Sequence, residues 1–144
     1  MRPKPITVAE VEYMAFRLAE KFMIWDEPIP NFGLRFPNIL ESCLKQPFIK
    51  FSKKDMYRGL VAKATTLFYL MIKNHPFQNG NKRIAVMSLL YFLSKNGKWL
   101  TISNQNLYVI TLGIAKSKAV SHRKSIKNIG IVISRYLVDY PKLK

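Results

Sequence analysis

Two strongly apolar segments, ATTLFYLMIK (Ala64 to Lys73) and IAVMSLLYFL (Ile84 to Leu93), flank a short polar stretch, HPFQNGNKR (His75 to Arg83). The second segment is apolar on nearly every face and is broken only by Ser88. A helix that is apolar all round belongs in the centre of a fold. It is predicted over about 81–95, and the first segment lies in a long helix over about 53–73. That long helix starts near Ser52 and Asp55, carries Met56, Leu60, Ala64, Leu67 and Met71 on one stripe, and is stopped by Pro76 and Gly80.

Further elements surround this pair. Thr7 and Glu10 have the spacing of a capping box, and Val8, Val11, Ala15, Leu18 and Phe22 share one face, predicting a helix over about 8–24. DEPIPNFGLRFPN (Asp26 to Asn38), with three prolines and a glycine, reads as a loop or short hairpin. Asn38 to Leu44 forms a short helix ended by Gln46-Pro47, and Asn96 to Thr101 is a turn. Leu107 to Lys116 and Ser121 to Tyr140 read as two more helices, the second with Ile126, Ile129, Ile133 and Leu137 in register. The expectation is an all-α, compact helical bundle around a buried central helix, with at most a small β-hairpin flap, in one domain over residues 1–144.

Composition adds three things. No apolar run is long enough to span a membrane, and MRPKPITVAEVEYM has no apolar h-region, so neither an anchor nor a signal peptide is expected. A lone cysteine, Cys43, fits a reducing cytoplasm and reads as a small buried residue rather than a nucleophile. The net charge of +16 is uneven: residues 1–41 hold six acids against five cations, while residues 42–144 hold 19 cations against Asp55 and Asp139. Such a surface attracts nucleotide phosphates, nucleic acid or an acidic protein, or it is simply well solvated. Met14, Met56, Met71 and Met87 read as core filler, Trp25 and Trp99 as packing residues, and Arg35 and His122 as surface residues.

The polar stretch has its own chemistry. Gly80 and Asn81 fall at the start of the central helix, where backbone N–H groups lack partners and the helix dipole is positive. That end can bind phosphate. Gly80 lets the backbone approach, Asn81 can donate an amide N–H, and Lys82 and Arg83 add charge. His75 ends the preceding helix, and its neutral imidazole can take a proton from a hydroxyl. Phe77 can plug into the core and fix the loop. The rival reading is ordinary turn chemistry followed by a solvated Lys-Arg pair. A P-loop is excluded, because its glycine spacing and preceding strand are missing.

HPFQNGNKRIA resembles the signature of the Fic/Doc family: His-Pro-Phe, any residue, Asp or Glu, Gly-Asn, Gly or Lys, Arg. Eight of the nine positions agree. The helix order around the motif, NGKW, LYVITLGIA and GLRFPNILESCL (Gly33 to Leu44) are similar to Doc-type toxins, so the resemblance covers most of the chain. It implies transfer of part of a nucleoside triphosphate, ATP foremost, to a protein hydroxyl. His75 would be the general base, Phe77 the core anchor, Gly80 and Asn81 the phosphate nest, and Arg83 the holder of a further phosphate. AMP-transferring members usually have glycine where this chain has Lys82. Doc-like members have lysine there and move the γ-phosphate, which places the chain with growth-arresting, Doc-like toxins whose target is a translation factor.

Asn79 departs from the pattern. It stands where the family usually has the acid that holds Mg²⁺, and it offers a neutral carbonyl oxygen instead, which puts metal affinity and rate in question. The inhibitory helix of many AMP-transferring relatives is also missing, since no glutamate here precedes Gly or Asn. Restraint would then come from a separate antitoxin whose acidic segment folds onto the basic surface. Residues 29–35 would be a target-binding flap or a plain connection. Two alternatives remain: AMP transfer, which Lys82 opposes sterically, and a catalytically weak basic module for nucleic acid or an acidic partner. No helix-turn-helix pattern supports the nucleic-acid reading.

Overall fold

The computed structural model describes residues 2–17 and 31–140, without the side chains of Met14 and Ala15. Leu18, Phe22, Trp25 and the start of the expected flap lie outside the described residues. Within them the chain is a helical bundle with two small antiparallel strand pairs.

Helix α1 (Val8–Glu10) opens on the expected capping box: Glu10 N–H donates to Thr7 Oγ1 at 3.1 Å, and Thr7 N–H donates to Glu10 Oε1 at 3.0 Å. The helix then widens into a π-turn, Val11–Phe16. The wider turn puts Val11 and Phe16, five residues apart, into the core together. Helix α2 (Pro37–Lys45) follows, with proline at its first position, where a missing N–H costs nothing.

The expected start of the long helix is wrong. Residues 50–55 form a hairpin, β1 (Lys50–Phe51) with β2 (Lys54–Asp55), and helix α3 begins only at Gly59 and runs to Lys73. Ser52 and Lys53 both take positive φ, the geometry of a two-residue hairpin turn usually built from Asn-Gly, so composition gave no warning. Met56 is 52% exposed and off the helix. Asp55 caps nothing; it receives Lys63 at 3.1 Å and Arg2 at 2.9 Å. Lys63 is fully buried, donates also to the Tyr57 carbonyl, and lies over the Phe48 ring. It pins the hairpin and the N-terminal segment to α3.

Helix α4 (Asn81–Lys95) has the expected bounds and the expected central place. It packs on α3, the π-turn, β3 (Lys98–Leu100) and α5 (Asn104–Lys116). Ile84, Leu89, Phe92 and Leu93 are wholly excluded from water. Each contributes about 2 kcal/mol by burial, so α4 holds the bundle together. Glu10 Oε1 takes Lys95 at 2.6 Å and Glu10 Oε2 takes the Tyr91 hydroxyl at 2.6 Å, tying α1 to the far end of α4.

Helix α6 (His122–Tyr136) buries Ile129 and Ile133 against α3, as its register predicts. It ends earlier than expected. Leu137–Asp139 become β4 and pair with β3, Trp99 opposite Val138, so NGKWLT is a turn that leads into a strand. Trp99 then meets the Tyr140 ring edge-on at 5.5 Å. Cys43 is buried, and burial raises its thiol to about 11, which leaves it an inert packing residue.

Candidate active site

The polar stretch bridges the C-terminus of α3 and the N-terminus of α4. Asn74 caps α3, and His75 follows with φ of +49°, a left-handed conformation that glycine usually fills at a helix end. This turn projects an exposed imidazole from the rim of the bundle. Pro76 behind it is buried, and its carbonyl accepts the Phe36 N–H at 2.8 Å, which binds the start of α2 to the motif.

Phe77 is 1% exposed. Its ring meets Phe16 at 5.7 Å and Phe32 at 5.8 Å, and those two rings meet edge-on at 5.5 Å. The expected anchor is therefore real, and three separate segments seat it: the π-turn, the loop before α2 and the motif. Pairwise periodicity could not reveal this cluster, because its rings lie far apart in sequence.

Gly80 is the N-cap of α4, with φ of +72° and no side chain to cap the helix. Asn81, Lys82 and Arg83 form the first helical turn, whose N–H groups have no acceptor within a helix. The Asn81 side chain is turned inward. Its Oδ1 accepts the Phe77 N–H at 3.0 Å and its Nδ2 donates to the Phe77 carbonyl at 2.8 Å. The amide expected to reach a phosphate also clasps the loop: its oxygen and one of its two N–H donors are taken by the Phe77 backbone. The signal for this was a buried amide four residues after an aromatic anchor.

Asn81 Nδ2 also lies 3.5 Å from His75 Nδ1, too long to fix a tautomer but close enough to put the imidazole beside the helix start. Arg83 is 7% exposed, unlike a solvated cation, and Lys82 is half-buried. Asn79 and Gln78 are exposed.

The expected flap differs in its described part. Phe32–Leu34 form a 3-10 turn capped by Asn31, not a hairpin strand. Arg35 folds back: its guanidinium stacks on Phe32 at 4.3 Å and donates to the Phe32 carbonyl. Leu34 and Phe36 remain exposed beside the motif.

The described residues do not make a protein-held metal site. Asn79 is the only side chain at the position of the expected acid, and it is neutral. Among the described residues no group of three or more His, Cys, Asp or Glu converges. Magnesium would have to arrive with a nucleotide's own phosphates.

A base-bearing loop over an oxyanion-friendly helix end, braced by a buried arginine, is suited to transferring a group from a phosphate ester to a hydroxyl. No curated protein and no solved structure matches the chain significantly. The family model Fic/DOC family matches residues 12–93, which include all but the first residue of the π-turn, the whole of α3, the motif itself and all but the last two residues of α4. Members of that family are typically transferases that modify proteins. The chain belongs to the Fic/DOC family.

Proposed function

We propose that this protein is a Doc-like phosphotransferase toxin that uses a nucleoside triphosphate, ATP foremost, to phosphorylate a protein hydroxyl in the cytoplasm. The observation that supports it is the approach of His75 to Asn81 at the first turn of α4, which sets an imidazole beside a helix N-terminus suited to phosphate. His75 accepts the proton of the target hydroxyl. The hydroxyl oxygen bonds to the γ-phosphorus as the bond to the β–γ bridging oxygen breaks, and a nucleoside diphosphate leaves. Gly80 and the first-turn N–H groups, with Arg83, hold phosphate oxygens as charge shifts to the leaving group. Lys82 supports γ-phosphoryl over AMP transfer, because its side chain occupies the space that glycine would leave open. The target would be a translation factor and the restraint an acidic antitoxin.

The test is label transfer in a cell extract, with nucleotide labelled at either the γ- or the α-phosphate. Protein labelled only from the γ position, and lost in His75→Ala, is the expected result. Labelling from the α position would assign AMP transfer instead. No labelling from either would end the enzyme reading and leave a basic binding module.

A further inference from the structure

The outer face of α2 carries a track of three open hollows that share residues end to end. The first, of about 480 Å³, lies between α2, the N-terminal segment and the turn before β1. Its walls are apolar: Ile6 and Leu44 are buried there, and Val8, Phe48 and Ile49 are half-buried. Glu41, Lys45 and Ile49 line both it and the second hollow, of about 430 Å³, which adds Asn38, Ser42 and Gln46. Asn38 and Ser42, one helical turn apart, continue into the third, of about 350 Å³, which reaches Asn74. Asn74 directly precedes His75, and the Phe36 N–H donates to the Pro76 carbonyl at 2.8 Å, which holds the start of α2 against the motif. The track thus runs from an apolar pocket to the residue before the base.

Its charge sets it apart from the rest of the surface. In a chain of +16 it holds one acid, Glu41, and one cation, Lys45, both exposed. Neither forms an ion pair among the described residues. A polyanion gains little from so balanced a strip, and a second copy of this chain is repelled by its own +16. The strip offers instead a pocket for one apolar side chain, followed by the exposed side chains of Asn38, Ser42, Gln46 and Asn74. Those amides and that hydroxyl can bond to an extended backbone.

We infer that this track seats the acceptor segment of the protein substrate, an extended and largely uncharged stretch. An apolar side chain of that segment fills the pocket over Ile6 and Leu44, and its hydroxyl residue lies beside Asn74, where His75 follows. From Asn38 to Lys45 helix α2 rises about 10 Å. Extended chain covers that in about three residues, so the apolar anchor stands about three to five residues from the hydroxyl. Binding at the anchor would position the hydroxyl for the base from a distance. This substrate class rests on the transfer by His75 proposed above, whereas the seating of a peptide on α2 is measurable without it.

The probe is a set of synthetic peptides of glycine and asparagine with one threonine and one leucine, the leucine moved from one to eight residues away on either side. Calorimetric titration is expected to show them binding at least about tenfold more tightly than the same chain without leucine, because one large apolar side chain leaves water. Ser42→Tyr, an exposed change that obstructs the middle of the track, and Ile49→Ser, which makes the pocket polar, are each expected to remove most of that advantage. Ser42→Tyr serves if Ile49→Ser fails to fold. Equal binding without leucine, an advantage unchanged in both variants, or displacement of the leucine peptide by a glutamate-rich one would overturn the inference. In γ-label transfer to the same peptides, labelling should peak with leucine about three to five residues from threonine, on one side only. Ser42→Tyr should raise the KM of the best peptide about tenfold while kcat changes less than about twofold. Labelling indifferent to the leucine position would overturn the inference and leave the transfer standing. Leucine-dependent binding with no label transferred, to peptide or to extract, would end the transfer and leave a peptide-binding α2 face.

Discussion

Asn81 grips the backbone of Phe77 on both sides with its side-chain amide, taking its N–H at 3.0 Å and giving to its carbonyl at 2.8 Å. Four residues of loop are thereby closed into a ring whose other side is sealed by the buried Phe77 side chain. His75 stands on that ring. The geometry of the loop that carries His75 thus depends on the Asn81 side chain.

Replacing Asn81 should show this. Asn81→Ala removes two buried hydrogen bonds and leaves the Phe77 peptide unpartnered there, an expected loss of about 2–3 kcal/mol in denaturant unfolding. Asn81→Asp keeps the acceptor but sets a carboxylate oxygen against the Phe77 carbonyl, so it should rescue little. Asn81→Asp at wild-type stability would remove the clasp from the account.

His75 sits in a left-handed conformation yet is exposed, so its function and its stability can be separated. His75→Ala and His75→Gly should both abolish label transfer. The glycine variant should be the more stable of the two, by about 1 kcal/mol, because it relieves the positive φ. Thermal melts of the pair, compared at one pH, measure this directly.

Asn79 offers magnesium a neutral oxygen where a carboxylate would serve better. Asn79→Asp is expected to lower, by severalfold, the Mg²⁺ concentration needed for half-maximal nucleotide binding, read by calorimetry rather than turnover. The residue is exposed, so the unfolding midpoint should stay where it is.

Glu10 has an acid-sensitive role. Burial pushes its carboxyl up, but Lys95, Tyr91 and the Thr7 backbone outweigh this and hold it at about 2, down from 4.5. A depressed carboxyl stabilises the fold above its unfolded value and loses that contribution as pH falls toward the folded one. Stability should therefore fall by about 2 kcal/mol, with solvent screening allowed for, between roughly pH 5 and pH 2. In Glu10→Gln the fall over that range should be shallower, leaving the part due to Asp55 and Asp139, whose carboxyls Lys63 and Lys98 also hold low.

Lys63 is fully enclosed, with Asp55 as its counter-ion. Lys63→Ala leaves Asp55 to Arg2 alone and opens a cavity beside Phe48, an expected cost of about 3–4 kcal/mol. Lys63→Met, which refills the volume, should recover about half of that in the same unfolding assay.

The sequence by itself determined the features that depend on near neighbours. The all-round apolar run of Ile84 to Leu93 demanded a central helix, Thr7 and Glu10 wrote their own cap, and the His75 to Arg83 stretch put a base next to a helix start. Tertiary structure decided what depends on partners far away. Positive φ at Ser52 and Lys53 made a hairpin from residues that read as a helix start, because Asp55 was needed by Lys63 and Arg2. Leu137–Asp139 left the helical register because β3 offered backbone partners. Asn81 turned inward to the backbone N–H and carbonyl of Phe77, whose ring is drawn into the core by Phe16 and Phe32. Local pattern sets which backbone shapes are cheap, whereas the satisfaction of buried polar groups is settled only when distant segments meet.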